Sequence, residues 1–303
     1  MTSAQILKNL YAPDRKVDVV IDTDAYNEID DQFAIAYLLK SPQQCEVKAI
    51  YAAPFTNDKS TGPADGMIKS YNEILRLLDL MDKKVDVFRG STEYLKSKDI
   101  PIISDAALDL VARAKNYSPD NPLYVVGIAA ITNIASAIII DPSICENIVI
   151  VWLGGHGRDF HDTNEFNMSQ DVTGVNVVFD AIVPLIQVPC RGVASGVRIS
   201  RPELEHWLLG KNKLCDYLVQ YSIEDTEKHF AGTPWSRTMW DSCAAAFIFN
   251  KDHRVMAPKF VHAPNISEDL KYMDNPAGKP MSYIYYIHRD LVITDMIRKL
   301  AAP

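Results

Sequence analysis

The feature that most limits the fold of this chain is its alternation of short, β-branched apolar runs with longer stretches of helical spacing. The pattern predicts strands over 17–21, 47–52, 85–88, 123–126, 148–153 and 183–188. Between them it predicts helices over 32–40, 65–80, 106–115, 132–140 and 172–181, followed by one over 201–209 that begins at an Arg-Pro pair. The helix over 65–80 is amphipathic, with Met67, Ile68, Tyr71, Ile74, Leu75 and Leu78 on one stripe. Such alternation indicates an α/β protein with one doubly wound, mostly parallel sheet and helices on both faces. No linker or internal repeat divides the chain, so residues 1–303 read as a single catalytic domain. Residues 222–237 are polar and aromatic without clear period and read as a loop over the site. In sheets of this kind ligands bind beyond the carboxyl ends of the strands, which makes the polar residues closing each strand the ones to inspect.

Composition narrows the function. A formal charge of −8 opposes a nucleic-acid groove, which needs clustered Lys and Arg to replace phosphate counterions. The five cysteines, Cys45, Cys145, Cys190, Cys215 and Cys243, are scattered without a CxxC or CxxH pair, so zinc and a disulfide framework both fit poorly. Reduced, buried thiols in a cytoplasm are the expectation. The N-terminus lacks a signal-peptide pattern, and no apolar run is long enough to span a bilayer, so no membrane partner is expected.

The segment VDVVIDTDAYNEIDDQFAIAYLL places Asp22, Asp24, Asp30 and Asp31 within ten positions after a buried strand, with Glu28 between them. Like charges crowded at one strand end repel, and burial makes this worse. A bound cation relieves the repulsion, and an all-oxygen donor set suits calcium or magnesium rather than zinc. A solvated acidic turn capping the helix near Asp30 accounts for the same residues.

These residues resemble the inosine-uridine-preferring nucleoside hydrolase (nucleoside N-ribohydrolase) family, which carries a DxD followed by DD at the end of its first strand. Further matches follow in order. GIAAITNIASA is similar to its Gly-Pro-Leu-Thr-Asn element at Thr132 and Asn133, and VWLGGH to its strand ending in Gly-Gly. NEFNMSQD carries its Glu-Phe-Asn signature at Glu165, Phe166 and Asn167. TMWDSCAAA supplies the late aspartate at Asp241. Together the matches span roughly 220 of the 303 residues. The resemblance implies a Rossmann-like nucleoside hydrolase fold, a small-molecule nucleoside substrate and a homodimer or homotetramer. It implies Ca2+ held by Asp24, Asp31, Asp241 and the main-chain carbonyl of Thr132, with Asp24 as general base. It further implies that Asp30, Asn27, Asn57, Glu165 and Asn167 bind sugar hydroxyls.

The chain departs from the family in the GIAAITNIASA element, which lacks its proline, and in two further places. The stretch between Asp24 and Asp30 is about two residues longer and lacks the family's glycine. Many members have a histidine immediately before the late aspartate, which protonates the departing base, and here that residue is Trp240. Purine-specific members also have tryptophan there and use it to stack on the base, so Trp240 points to a purine leaving group. His156, His161, His229 and Arg237 are the other candidate proton donors or substrate contacts; His156, directly after the Gly-Gly strand end, is carried as a substrate contact. Three other readings compete: a phosphoryl-transfer enzyme with an aspartyl nucleophile on the DxD, a non-catalytic nucleoside or sugar sensor, and a hydrolase of another N-ribosyl compound.

Overall fold

The computed structural model describes residues 1–302. The chain runs through helix α1 (Ser3–Asn9), strand β1 (Val17–Thr23), α2 (Asp30–Leu39), β2 (Cys45–Ala52), α3 (Pro63–Leu80) and β3 (Asp86–Arg89). It continues through α4 (Asp105–Ala114), β4 (Leu123–Gly127), α5 (Thr132–Ile140), β5 (Ile148–Leu153), α6 (Phe166–Gln170), α7 (Val172–Asp180) and β6 (Leu185–Val188). A short ribbon of β7 (Arg198–Ser200) and β8 (Ser236–Thr238) brackets α8 (Arg201–Trp207) and α9 (Lys213–Phe230). Then come α10 (Trp240–Phe247), β9 (Met256–His262), β10 (Asn265–Ile266), β11 (Tyr272–Met273), β12 (Pro280–Ile287) and α11 (Arg289–Ala301).

Eight strands form one sheet in the order β3-β2-β1-β4-β5-β6-β12-β9. All neighbours are parallel except the β9–β12 pair at one edge. The order reverses direction between β1 and β4, so the expected doubly wound architecture has its switch point beyond Asp22 and Gly127. Side chains of β1 alternate between two apolar layers: Val19 and Ile21 join the cluster containing Phe33, Leu218 and Phe247, whereas Val20 joins the one containing Leu110, Ile134 and Trp152. Helix α2 is buried on every side because the sheet lies beneath it and α3, α10 and α11 pack around it. All five cysteines are buried and unbridged. Among the described residues, no helix is long and apolar enough to cross a membrane.

Two expectations are corrected. Residues 222–230 are not loop but the last half of α9, which buries Ser222, Asp225 and Thr226 beside the apolar Leu214, Leu218 and Val219. In α3 the buried face runs through Met67, Ser70, Ile74, Leu77 and Leu78, while Ile68 and Leu75 are 48% and 43% exposed. The core stripe is therefore rotated from the one read off apolar spacing alone, and a polar Ser70 occupies part of it.

Asn133, in the first turn of α5, ties three elements together. Its Nδ2 donates to Asp22 Oδ1 at 2.7 Å, and its Oδ1 accepts from Ser91 N at 2.7 Å and Ser91 Oγ at 2.9 Å. All these groups are buried, so truncation leaves donors and acceptors without partners. We expect Asn133→Ala to lose about 2–4 kcal/mol of stability, read as a lowered denaturation midpoint; a change within the noise of that measurement contradicts the brace.

Candidate active site

Beyond the switch point lies a cavity of about 450 Å³ lined by, among others, Asp24, Asp30, Asp31, Trp240 and Asp241. Its floor is built by local geometry. β1 ends at Thr23, the chain turns through Asp24 to Ile29, and α2 starts at Asp30. Helix α10 packs along α2, which brings its own first-turn residue Asp241 against the start of α2. The contact is direct: Asp241 N donates to Asp30 Oδ2 at 3.2 Å, across 211 residues of chain. Two helix N-termini thus converge on one point, where their partial positive charge favours carboxylates.

That help is small beside the cost of burying so many charges. Asp22, Asp24, Asp30, Asp31 and Asp241 are each 4% exposed or less. Single carboxylate oxygens of Asp30, Asp31 and Asp241 lie within 4.8 Å of one another. Burial, then the charges of Asp31 and Asp30, pushes the Asp24 carboxyl well above the usual range. Burial raises Asp31 as well, with Asp30 adding to it, and Asp241 rises for the same reasons. Asp30 is lifted to about 7 by burial and by Glu28, with Arg237 opposing. Asp22 is lifted to about 7 by burial against the hydrogen bond from Asn133. Yet Asp22 Oδ2, Asp24 Oδ2 and Asp30 Oδ1 are buried with no hydrogen-bond partner among the described residues. Orphaned, mutually repelling oxygens in a purely oxygen donor set fit a hard divalent cation.

The structure brings together most of the residues singled out in the sequence. Asn27 and Asn57 meet on the cavity wall, Asn57 Nδ2 donating to Asn27 Oδ1 at 2.6 Å. Glu165, Asn167 and His156 line its far wall. Glu165 caps α6 and accepts from Gly155 N at 2.8 Å and from Asn167 N and Met168 N at 3.0 Å each. Both of its oxygens hold backbone, so much of its carboxylate is committed to shaping the wall. Asn167 donates from Nδ2 to Leu153 O at 3.1 Å, leaving Oδ1 toward other partners. Gly155 must be glycine: its φ is +76°, and a Cβ would stand 2.3 Å from the Tyr272 hydroxyl. His156, which follows, is 4% exposed, and neither ring nitrogen has a partner among the described residues. Burial, with Arg191 nearby, lowers its pKa.

Thr132 is the exception. It is fully buried at the first position of α5, with its hydroxyl on Asp171 Oδ2 at 2.6 Å, and it does not line the cavity. A carbonyl at that position points along the helix it begins. The residue of this segment that does face the cavity is Ile128, the first beyond β4. His161 and His229 are exposed. Cys190, Arg191 and Asn164 line the cavity and carried no signal in the sequence. Cys190 and Arg191 extend β6 beside the end of β5, Cys190 N donating to Gly155 O at 2.7 Å and Gly157 N to Arg191 O at 2.8 Å.

Comparison with known proteins fits this geometry. Residues 19–275 match the family described as inosine-uridine preferring nucleoside hydrolase. No curated protein matches the sequence. Among solved structures the chain resembles a plant nucleoside hydrolase, PpNRh1, with 20% identity, a TM-score of 0.72 and coverage of 96% of this chain and 100% of the other. It is similar to a purine-preferring ribonucleoside hydrolase from Gardnerella vaginalis at 18% identity and TM-score 0.71, covering 94% and 98% of the two chains. An inosine-guanosine nucleoside hydrolase superposes with TM-score 0.76 at 15% identity, covering 95% and 99%. These structures share the fold, and the family match spans most of the chain from β1 through the last acidic residue of the cavity: the protein belongs to the inosine-uridine preferring nucleoside hydrolase family and is an N-ribosyl hydrolase.

Proposed function

We propose that the chain hydrolyses the N-glycosidic bond of a purine ribonucleoside in a calcium-dependent reaction, releasing free base and ribose. The observation that carries this reading is the meeting of four buried carboxylates, Asp24, Asp30, Asp31 and Asp241, in one cavity also walled by Trp240. Asp24, Asp31 and Asp241 would hold the ion, with the main chain at Ile128 taking the place foreseen for Thr132. Bound there, calcium supplies the charge that lets these carboxylates coexist ionised and makes a neighbouring water easier to deprotonate.

The protein's own groups do the rest. Asp24, with Oδ2 unpaired, accepts the proton of the water that attacks the anomeric carbon. Asp30, with Oδ1 unpaired, accepts a hydrogen bond from a ribose hydroxyl. Asn27, Asn57 and Asn167 and the remaining capacity of Glu165 fix the sugar. His156, whose ring nitrogens have no partner among the described residues, offers one to a further hydroxyl. As the C–N bond lengthens, positive charge grows on the ring carbon and oxygen, and a cavity ringed by carboxylate and amide oxygens stabilises it. The half-buried indole of Trp240 gives the purine an aromatic face on which to stack.

A panel of nucleosides assayed for free ribose tests this. At saturating calcium, Asp24→Ala is expected to lower kcat by about 10²–10⁴, and release of phosphate from monoesters with no ribose from any nucleoside contradicts the proposal. Trp240→Ala is expected to cost more on inosine than on uridine; an equal loss refutes stacking.

Stability against pH gives an independent readout. With the cation removed, Asp22 and Asp30 titrate at about 7 in the folded chain, against about 3.9 when unfolded. The folded state then binds more protons, so stability falls as pH rises from about 4 through 7. We expect the Tm in chelator to fall between pH 5.5 and 8, and excess calcium to flatten that slope and raise the curve. A slope that is the same with and without calcium counts against a cation among these carboxylates.

A further inference from the structure

Arg237 and Glu28 join two of the places where this chain departs from the family pattern. Glu28 lies in the lengthened turn between Asp24 and Asp30, and Arg237 stands three residues before Trp240. They form an ion pair, Nη2 to Oε2 at 2.9 Å, across 209 residues of chain. Glu28 and Trp240 line the catalytic cavity, and both also line a second one of about 560 Å³. The second cavity is walled by Trp235, Phe230 and Thr226 and by Arg237 itself. Two polar atoms of these walls are buried without a partner among the described residues: Arg237 Nε and the hydroxyl of Thr226, a residue 2% exposed. A space with aromatic walls and a guanidinium at its edge suits a flat, polar ring.

On the hydrolase reading, Trp240 marks the side of the sugar from which the base leaves, and the second cavity opens past it. We propose that Arg237 is the leaving-group residue of this enzyme, its guanidinium donating a hydrogen bond to the departing nucleobase, and that Glu28 is the positioning residue that aims it. The bond between C1′ and the base nitrogen breaks with its electron pair left on the base. The water oxygen bonds to C1′, its proton passes to Asp24, and the base takes a proton from solvent. Arg237 acts only as a hydrogen-bond donor in this step, the proton taken by the base coming from solvent. It stabilises the negative charge spreading over the ring nitrogens and oxygens. The planar fork of donors suits a heterocycle edge, and the pairing with Glu28 fixes one nitrogen while Nε remains free. This supplies what the missing imidazole cannot.

The test compares two substrates in wild type, Arg237→Gln, Arg237→Lys, Arg237→Ala and Glu28→Gln. Inosine has a base that leaves poorly without stabilisation, whereas p-nitrophenyl β-D-ribofuranoside releases a stable anion unaided. Arg237→Gln is expected to lose about 10²–10³ in kcat/KM on inosine but at most roughly threefold on the nitrophenyl riboside. Arg237→Lys should recover little on inosine, because an ammonium lacks the fork. Glu28→Gln should lower kcat on inosine by roughly tenfold with little change in KM, as expected of misaimed rather than missing donation. Millimolar guanidinium should restore part of the inosine rate in Arg237→Ala. Equal losses on the two substrates, or an unchanged inosine rate, overturn the role of Arg237 while leaving the hydrolase reading intact. Wild-type protein that frees ribose from neither substrate overturns the hydrolase reading and this proposal with it.

Discussion

Four carboxylates buried within one cavity set the terms for the rest of the structure. Each alone is costly to take out of water, and together they repel at short range in a medium that screens weakly. The fold lessens that cost in three ways: the N-termini of α2 and α10 point at the cluster, Asn133 pins Asp22 and Thr23 donates to Asp31. None of these cancels several negative charges, and unpaired oxygens remain on Asp24 and Asp30. Such an arrangement is stable as built only with shared protons or with a cation. The same electrostatic demand that calls for a cation also serves catalysis, because the transition state of N-glycosidic cleavage brings positive charge into the same space.

The scaffold makes this possible by being rigid where the site is made. The reversal of strand order between β1 and β4 opens a crevice at the centre of the sheet, and the apolar layers on both faces lock the strands beneath it. The wall formed by residues 154–168 is held by backbone hydrogen bonds to Glu165 rather than by apolar packing alone. The opposite rim is looser in composition: residues 231–234, between α9 and β8, are exposed, and the pair of Glu28 and Arg237 closes the site on that side. A preformed floor and a lightly held rim suit an enzyme that must admit and release a planar base.

Much of this was legible in the sequence for a physical reason. Parallel strands buried on both faces read as apolar runs, and the aspartates at the end of β1 are contiguous in the chain, so their crowding is visible before folding. Asp241 was found because the residues around it match a family, not because its distance from Asp31 can be read. What was missed falls into kinds that leave little side-chain signal. A place on the cavity wall can be taken by an apolar residue, so Ile128 carries no mark in the sequence, whereas Thr132, which does not line the cavity, stood out by its resemblance to a family element. The rotated face of α3 and the helical end of α9 were hidden by buried polar residues, Ser70, Ser222 and Thr226 among them. The commitment of Glu165 to backbone N–H groups depends on where Gly155 comes to lie, ten residues earlier. The pairing of Glu28 with Arg237 needs the folded chain to bring together α10's approach and the turn after β1.

The most direct test of a cation-dependent carboxylate site is ribose release from inosine measured against free calcium. The account predicts that rate falls to background in excess chelator, returns saturably as calcium is added back, and stays at background in Asp31→Asn at calcium levels that saturate the wild type. Full-rate release in metal-free buffer, unchanged by chelator or added calcium, would contradict it.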